Sequence, residues 1–337
     1  MIRAKLESGL HFRLGIIRGE REEVRSDYEP FVQPLMINTI GRSGSTWLTW
    51  LLSCHPQIVA FKPFEHETRV ASYWMTVFQE LSQPQSFLTQ FDPPDLAVRH
   101  WWLGEAGTNR GALKDKELST WLAYDSVPAL AAMCQSRIDA FYSANATIDR
   151  HGRYFVEKFS PWQIVPDLLS ELYPNAKEVI LVRDFRDMFC SIRAFNAKRG
   201  DQGFGRDRAD SDADYIRTII RGFAKALLQR WRRRGNLAHL IRYEDLILEP
   251  AETLERLMTY LELDASSDAI ERTLQLASQD RPGVDNHRTA PDVASSVGRW
   301  RTDLSPELIA VCDEALGPLL TEFGYSVERS EQLSEAG

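Results

Sequence analysis

Residues 35–50 read LMINTIGRSGSTWLTW, and the fold is decided there. The apolar run Pro34-Leu35-Met36-Ile37 leads into a polar loop, Gly41-Arg42-Ser43-Gly44-Ser45-Thr46. An apolar, helix-compatible run follows, Trp47-Leu48-Thr49-Trp50-Leu51-Leu52. Strand, Gly/Ser loop and helix make an anion cradle. Glycines let the backbone approach a phosphate, and the amides of the helix start face it. Ser43, Ser45 and Thr46 add hydroxyl donors, and Arg42 adds a permanent positive charge. The plainer reading is an ordinary strand–turn–helix connection with an N-cap serine. The loop is not a Walker A loop, which needs Gly-x-x-x-x-Gly-Lys-Ser/Thr. Ser45 stands where that lysine would be, and Thr39 stands where its first glycine would be.

The 337-residue chain suits one large α/β domain or two small ones. Its 43% apolar and 26% charged residues are those of a soluble globular protein. A net charge of −8 argues against broad nucleic-acid binding, so any cationic site for an anionic ligand is local. Cys54, Cys134, Cys190 and Cys312 are widely spaced, without a Cys-x-x-Cys pair; buried, reduced thiols are expected rather than zinc ligands or disulfides. Charges interrupt residues 1–24 every few positions, unlike a signal peptide, and no window approaches the ~20 apolar residues of a membrane span.

Working outward, strands are expected at Gln57–Phe61, Tyr154–Lys158, Glu178–Val182 and Leu237–Tyr243. Helices are expected at Trp47–Ser53, Ile164–Tyr173, Tyr215–Arg233, Pro250–Leu261 and from Ser305-Pro306 onward. Such alternation predicts an α/β fold: a central, mostly parallel sheet flanked by helices, with a P-loop-like nucleotide site. Residues 1–33 read as an N-terminal arm, 34–330 as a single domain and 331–337 as a tail. Within the domain, 64–150 reads as a helical insertion containing Tyr73, Trp74, Trp101, Trp102, Trp121 and Tyr124, aromatics suited to core packing or to an acceptor cleft. Residues 200–214 suit a mobile loop. The basic run Arg230, Arg232, Arg233 and Arg234 suits a helix C-terminus better than a phosphate site. Ligands on parallel sheets sit at the carboxyl ends of strands, where Arg42, Lys158 and Arg183 all fall.

Arg42-Ser43-Gly44-Ser45-Thr46 resembles, position by position, the 5′-phosphosulfate loop of sulfotransferases that use 3′-phosphoadenosine 5′-phosphosulfate (PAPS). Arginine at its first position is similar to the carbohydrate and tyrosylprotein branches rather than the phenol and steroid branch. Three further segments carry the resemblance in the family's order. In Leu181-Val182-Arg183…Ser191 the arginine and serine stand eight residues apart, and the resemblance implies that they bind the 3′-phosphate; the plainer reading of Arg183 alone is an ion-pairing arginine, for instance with Asp187. Tyr243-Glu244-Asp245 looks like the family's Tyr-Glu-Asp/Glu motif, whose tyrosine lies near adenine. Ser296-Val297-Gly298-Arg299-Trp300-Arg301 looks like the late Gly-x-Trp-basic segment. The family's Arg-Lys-Gly before it is absent, leaving Arg288, Arg299 and Arg301 open for the 3′-phosphate. The implied donor-binding set is Arg42, Ser43, Gly44, Ser45, Thr46, Trp47, Arg183, Ser191, Tyr243, Arg299 and Arg301.

The resemblance implies sulfuryl transfer from PAPS to a hydroxyl of a carbohydrate, lipid or small molecule, giving a sulfate ester and adenosine 3′,5′-bisphosphate. Arg42 and Lys158 would stabilise the transferring group, with no metal. A base must take the acceptor's proton. The carbohydrate and tyrosylprotein branches place a glutamate shortly after the second strand, so Glu65 or Glu67 is favoured, with His66 third; Ser160 occupies the alternative histidine position. The plainer reading of the acidic cluster is a salt bridge to Arg69. A cytoplasmic enzyme is expected. The alternatives are a P-loop kinase or hydrolase using a nucleoside triphosphate, and a non-catalytic nucleotide- or glycan-binding protein.

Overall fold

The computed structural model describes residues 26–60, 68–82, 127–145, 152–279, 289 and 292–327. The chain divides into two compact units. One holds residues 1–28 and 80–133, the other 29–79 and 134–337. Of the first unit the described part is small: the Tyr28 N–H bonds Ser26 Oγ at 3.2 Å, and two helix ends fall there. The rest concerns the second unit.

Among the described residues a five-stranded parallel sheet runs in the order β2-β3-β1-β4-β5. β1 is Gln33–Thr39, followed by helix α1 (Ser45–Ser53) and β2 (Ile58–Val59). Helices α2 (Val70–Ser82) and α3 (Val127–Asn145) precede β3 (Tyr154–Phe159). Next come α4 (Val165–Leu172), β4 (Lys177–Val182) and α5 (Phe185–Arg199). The predicted helix over 215–233 is in three pieces: α6 (Asp212–Tyr215), a π-helical segment (Ile216–Ile220) and α7 (Arg221–Arg234). After β5 (Ala238–Arg242) come α8 (Tyr243–Leu248), α9 (Pro250–Tyr260), α10 (Ser267–Ser278), α11 (Trp300–Asp303) and α12 (Pro306–Glu322).

β1 is buried along its whole length, as expected of a central parallel strand. Alternation along the strands supplies two cores. Leu35, Ile37, Tyr154, Val156, Val179 and Leu181 pack with α1, α9 and α10 on one face. Ile180 and Val182 pack with α5, α7 and α12 on the other. By the same period of two, Lys158 stands on the α1 face, beside Ile37 in the register. Glu157 points the opposite way and accepts the N–H groups of Ala71 (2.7 Å) and Ser72 (3.1 Å), capping α2.

Three expectations change. Tyr243 is the first residue of α8 rather than a strand end; Glu244 and Asp245 in that first turn suit the positive end of a helix dipole. Cys54 is half-buried, because it caps the exposed end of α1, while Cys134, Cys190 and Cys312 are buried; all four are free thiols. Residues 200–214 form a defined turn: Tyr215 Oη donates to the Phe204 carbonyl at 2.7 Å, and Arg206 Nη1 to that of Ala209 at 2.6 Å. The basic run is consumed by ion pairs. Arg230, fully buried, meets Glu178 at 2.6 Å and Asp167 at 2.9 Å, and Arg233 meets Asp167 at 3.1 Å. Among the described residues no helix is long and apolar enough to cross a membrane.

Candidate active site

The loop between β1 and α1 takes its shape from two left-handed residues. Arg42 has φ 71° and Gly44 has φ 86°. Alternation into positive φ turns successive amides to one side, the geometry of an anion nest. Gly44 is the N-cap of α1 and supplies no side-chain cap, so the first amides of α1 face the loop without a serine in front of them. The N-cap serine of the plainer reading is therefore not there. Gly44 is obligatory for a second reason: a Cβ would lie 2.2 Å from the Tyr243 ring. At Gly41 a Cβ would lie 2.6 Å from Phe204.

β1 and β4 are neighbours, so the loop after β1 meets the start of α5. Asp184 caps α5 by accepting from Arg186 N at 2.9 Å, and Arg183 stands just before it. Arg183 Nη1 donates to the Arg42 carbonyl at 3.2 Å, and Nη2 to that of Ser296 at 2.6 Å. Its guanidinium lies 4.5 Å from the centre of the Tyr243 ring. Arg183 Nε is buried without a hydrogen-bond partner among the described residues. The ion pair with Asp187 considered above does not form: Asp187 accepts backbone N–H groups instead.

Arg42 leans toward α5. Its Nε donates to Ser191 Oγ at 3.2 Å, and its guanidinium lies 4.3 Å from the Phe195 ring centre. Ser191 Oγ is also 3.1 Å from Thr289 Oγ1. Arg299 Nη1 donates to the Thr289 carbonyl at 3.1 Å while Arg299 holds Asp303 at 2.6 Å. Arg42, Arg183, Ser191, Tyr243 and Arg299 thus meet around the loop. Arg301 stacks on Trp300, its guanidinium 4.4 Å from the ring centre. Burial, then repulsion from Arg183 and Arg299, pulls the Arg42 guanidinium down to about 10. A cation so crowded by cations is stabilised by an anion.

Of the remaining loop residues, Ser43 is buried with its hydroxyl 3.8 Å from Met188 sulfur. Ser45, Thr46 and Trp47 form the first turn of α1. Lys158 sits one residue before the end of β3. Glu65, His66 and Glu67, with Arg288 and the aromatics Trp101, Trp102, Trp121 and Tyr124, lie outside the described residues. Tyr73 is exposed on α2, edge-on to Trp74 at 5.3 Å.

The sequence reading missed several participants. Phe195 and Phe204 flank Arg42 and Gly41 with no motif to mark them. Ser296 lies in the late motif, but nothing in the sequence marks its carbonyl's tie to Arg183. Its hydroxyl lies 3.0 Å from Tyr243 Oη. Glu244 links the second and third motifs: it accepts Asp184 N at 3.0 Å and Tyr325 Oη at 2.6 Å.

The model of the sulfotransferase family matches residues 34–268, the stretch that carries the first three motifs. The chain belongs to the sulfotransferase family. Human carbohydrate sulfotransferase 1 is 26% identical over 169 residues, 47% of this chain and 41% of that protein. The rat protein of that name matches to the same extent. The chain therefore spans less than half the length of the curated relatives it matches. Among solved structures, the sulfotransferase domain of the Synechococcus PCC 7002 olefin synthase aligns with a TM-score of 0.51 and 20% identity, covering 91% of this chain and 99% of that one. The sulfotransferase domain of the curacin biosynthetic pathway aligns at 0.51 and 16% identity, covering 89% and 100%. These two likenesses show a fold shared with those two domains.

Proposed function

We propose that the protein transfers a sulfuryl group from PAPS to an acceptor hydroxyl. One observation carries this reading: the nest at Arg42–Gly44 and the Arg183/Ser191 pair lie side by side, so two anionic groups of one donor can be held at once. In this proposal the loop amides with Ser43, Ser45 and Thr46 hold the 5′-phosphosulfate, beside Trp47. Arg183, whose buried Nε has no hydrogen-bond partner among the described residues, and Ser191 hold the 3′-phosphate, supported by Arg299 or Arg301. Tyr243 packs against the nucleotide. Arg42 leans to the Ser191 side, so its place in the reaction requires a swing of its side chain toward the sulfuryl group. Lys158, on the α1 face at the end of β3, complements charge developing on the transferring or leaving oxygens.

The acceptor oxygen attacks sulfur in line, the sulfur–oxygen bond to the 5′-phosphate breaks, and the nucleotide leaves as adenosine 3′,5′-bisphosphate. Positioning and electrostatics supply most of the rate in this kind of transfer. Glu65 or Glu67, with His66 third, takes the acceptor proton. The capping of α2 by Glu157 supports this, since it holds the helix entered just after that cluster. A carbohydrate hydroxyl is the acceptor favoured by the similarity to carbohydrate sulfotransferase 1. The free cysteines support a reducing, cytoplasmic compartment. The test is incubation with radiolabelled PAPS and a panel of glycans, lipids and small alcohols. Label is expected in a glycan. Label in no acceptor, with Mg²⁺-dependent phosphate release from ATP, would replace this reading with the kinase or hydrolase one.

A further inference from the structure

Asp187 has a task that the donor-binding set above does not include. It lies in the first turn of α5, is 1% exposed, and is free of capping duty because Asp184 caps the helix. Both its oxygens are spent on one distant turn. Oδ2 accepts Gly298 N at 2.6 Å and Oδ1 accepts Trp300 N at 2.9 Å. Gly298 holds φ 73°, a left-handed turn that lets both amides reach one carboxylate. Arg186 secures the turn from a second direction, its guanidinium 3.9 Å from the Trp300 ring centre.

The turn is flanked by residues that touch the anion-binding pair. Before it, Ser296 gives its carbonyl to Arg183 at 2.6 Å. Within it, Arg299 holds Thr289, whose hydroxyl is 3.1 Å from Ser191 Oγ. Asp187 and Ser191 are one helical turn apart on α5, hence on one face. The contacts close a ring: Asp187 to the turn, the turn to Arg183 and to Thr289, Thr289 to Ser191, and Ser191 back along α5.

We propose that Asp187 is a positioning residue for the donor's 3′-phosphate: by holding Gly298 and Trp300 it sets Ser296, Arg299 and Thr289 against Arg183 and Ser191. This rests on the PAPS reading above. The charged groups that act on Asp187 are Arg183 and Asp184 at its own end of α5; Arg299 and Asp303, from the side of α11, act together with Asp187 on the neighbouring Cys190 thiol. Burial raises its carboxyl to about 6, against the pull of the Trp300 amide, Arg183 and the Gly298 amide. A proton there converts one acceptor oxygen into a donor facing an N–H.

The experiment is titration calorimetry of wild type and Asp187→Asn with adenosine 3′,5′-bisphosphate and with adenosine 5′-monophosphate, which lacks the 3′-phosphate. Wild type is expected to prefer the bisphosphate. The asparagine keeps the shape but turns an amide toward one N–H, and the preference should fall by about tenfold or more. A residue that only stabilises the fold would lower the melting temperature and leave this preference in place. Lowering the pH from 7.5 to 5.5 should reduce the preference more steeply in wild type than in the variant, because the phosphate's own titration near about pH 6 is common to both. If Asp187→Asn does not fold, Asp187→Glu takes its place, since the longer arm displaces the carboxylate without removing it. A folded variant of either kind with undiminished preference, or a folded Asp187→Asn with the wild-type pH slope, overturns the role of Asp187. A wild type that cannot tell the two nucleotides apart overturns the donor reading and this assignment with it.

Discussion

Gly44→Ala tests the loop geometry directly. At φ 86° and ψ 13° an alanine costs about 1–2 kcal/mol in backbone strain alone. Its Cβ would sit 2.2 Å from Tyr243 Cδ2 and 2.5 Å from Cε2. Ordinary contact begins at 3.4 Å, so the ring would have to retreat by more than about 1 Å. It is poorly placed to do so: Tyr243 is 7% exposed, its Oη lies 3.0 Å from Ser296 Oγ, and Arg183 lies over its face at 4.5 Å. Overpacking of this kind costs about 1–3 kcal/mol, for a total of about 2–5 kcal/mol. The assay is urea unfolding of Gly44→Ala, Tyr243→Ala and the double variant. Without the ring only the backbone part should remain, so the cost of the alanine should fall by about 1–3 kcal/mol in the Tyr243→Ala background, a coupling that the cycle reads directly. In the single variant, adenosine 3′,5′-bisphosphate should bind more weakly, because a displaced ring moves Arg183. Equal costs in both backgrounds, or a cost below about 1 kcal/mol, would refute the reasoning.

Arg183→Ala should weaken bisphosphate binding at least about tenfold and erase the preference over adenosine 5′-phosphosulfate, since charge-assisted bonds contribute about 1.5–3 kcal/mol each; calorimetry on the folded variant decides. Arg42→Lys should retain part of the turnover with labelled PAPS, whereas Arg42→Ala should lose on the order of a hundredfold. One of Glu65→Gln and Glu67→Gln should cut turnover ~10²–10⁴-fold with donor affinity nearly unchanged; wild-type rates in both, and in His66→Ala, would move the base elsewhere. Glu157 predicts a pH dependence of stability. Burial raises its carboxyl to about 7 from an ordinary 4.5, so the native state keeps a proton that the unfolded chain has lost. Its contribution is full below pH 4.5 and gone above about 7, on the order of 3 kcal/mol. The unfolding free energy of wild type minus that of Glu157→Gln should therefore fall as pH rises through this window; parallel curves in urea titrations at several pH values would contradict it.

Much of the fold was legible locally. The strand, loop and helix of residues 34–53 are encoded by an apolar run, two glycines and a second apolar run, all within one turn of one another in sequence. The ends of β3 and β4 could be read for the same reason, and they place Lys158 and Arg183 at strand ends. What the sequence left open was partnership across distance. Tyr243 closing on Gly44 depends on β5 lying beside β4 and β4 beside β1. Arg230 and Arg233 looked like helix-end charges until the packing of α7 set Glu178 and Asp167 against them. Asp187 looked like a partner for Arg183, four residues away. Its carboxylate is claimed instead by amides more than a hundred residues later, because the tertiary fold brings Gly298 and Trp300 to the start of α5. Periodicity and turn residues act over one or two turns of chain and so specify elements. Which buried charge meets which donor is set by the order in which those elements stack, because most buried polar groups end up with a hydrogen-bond partner.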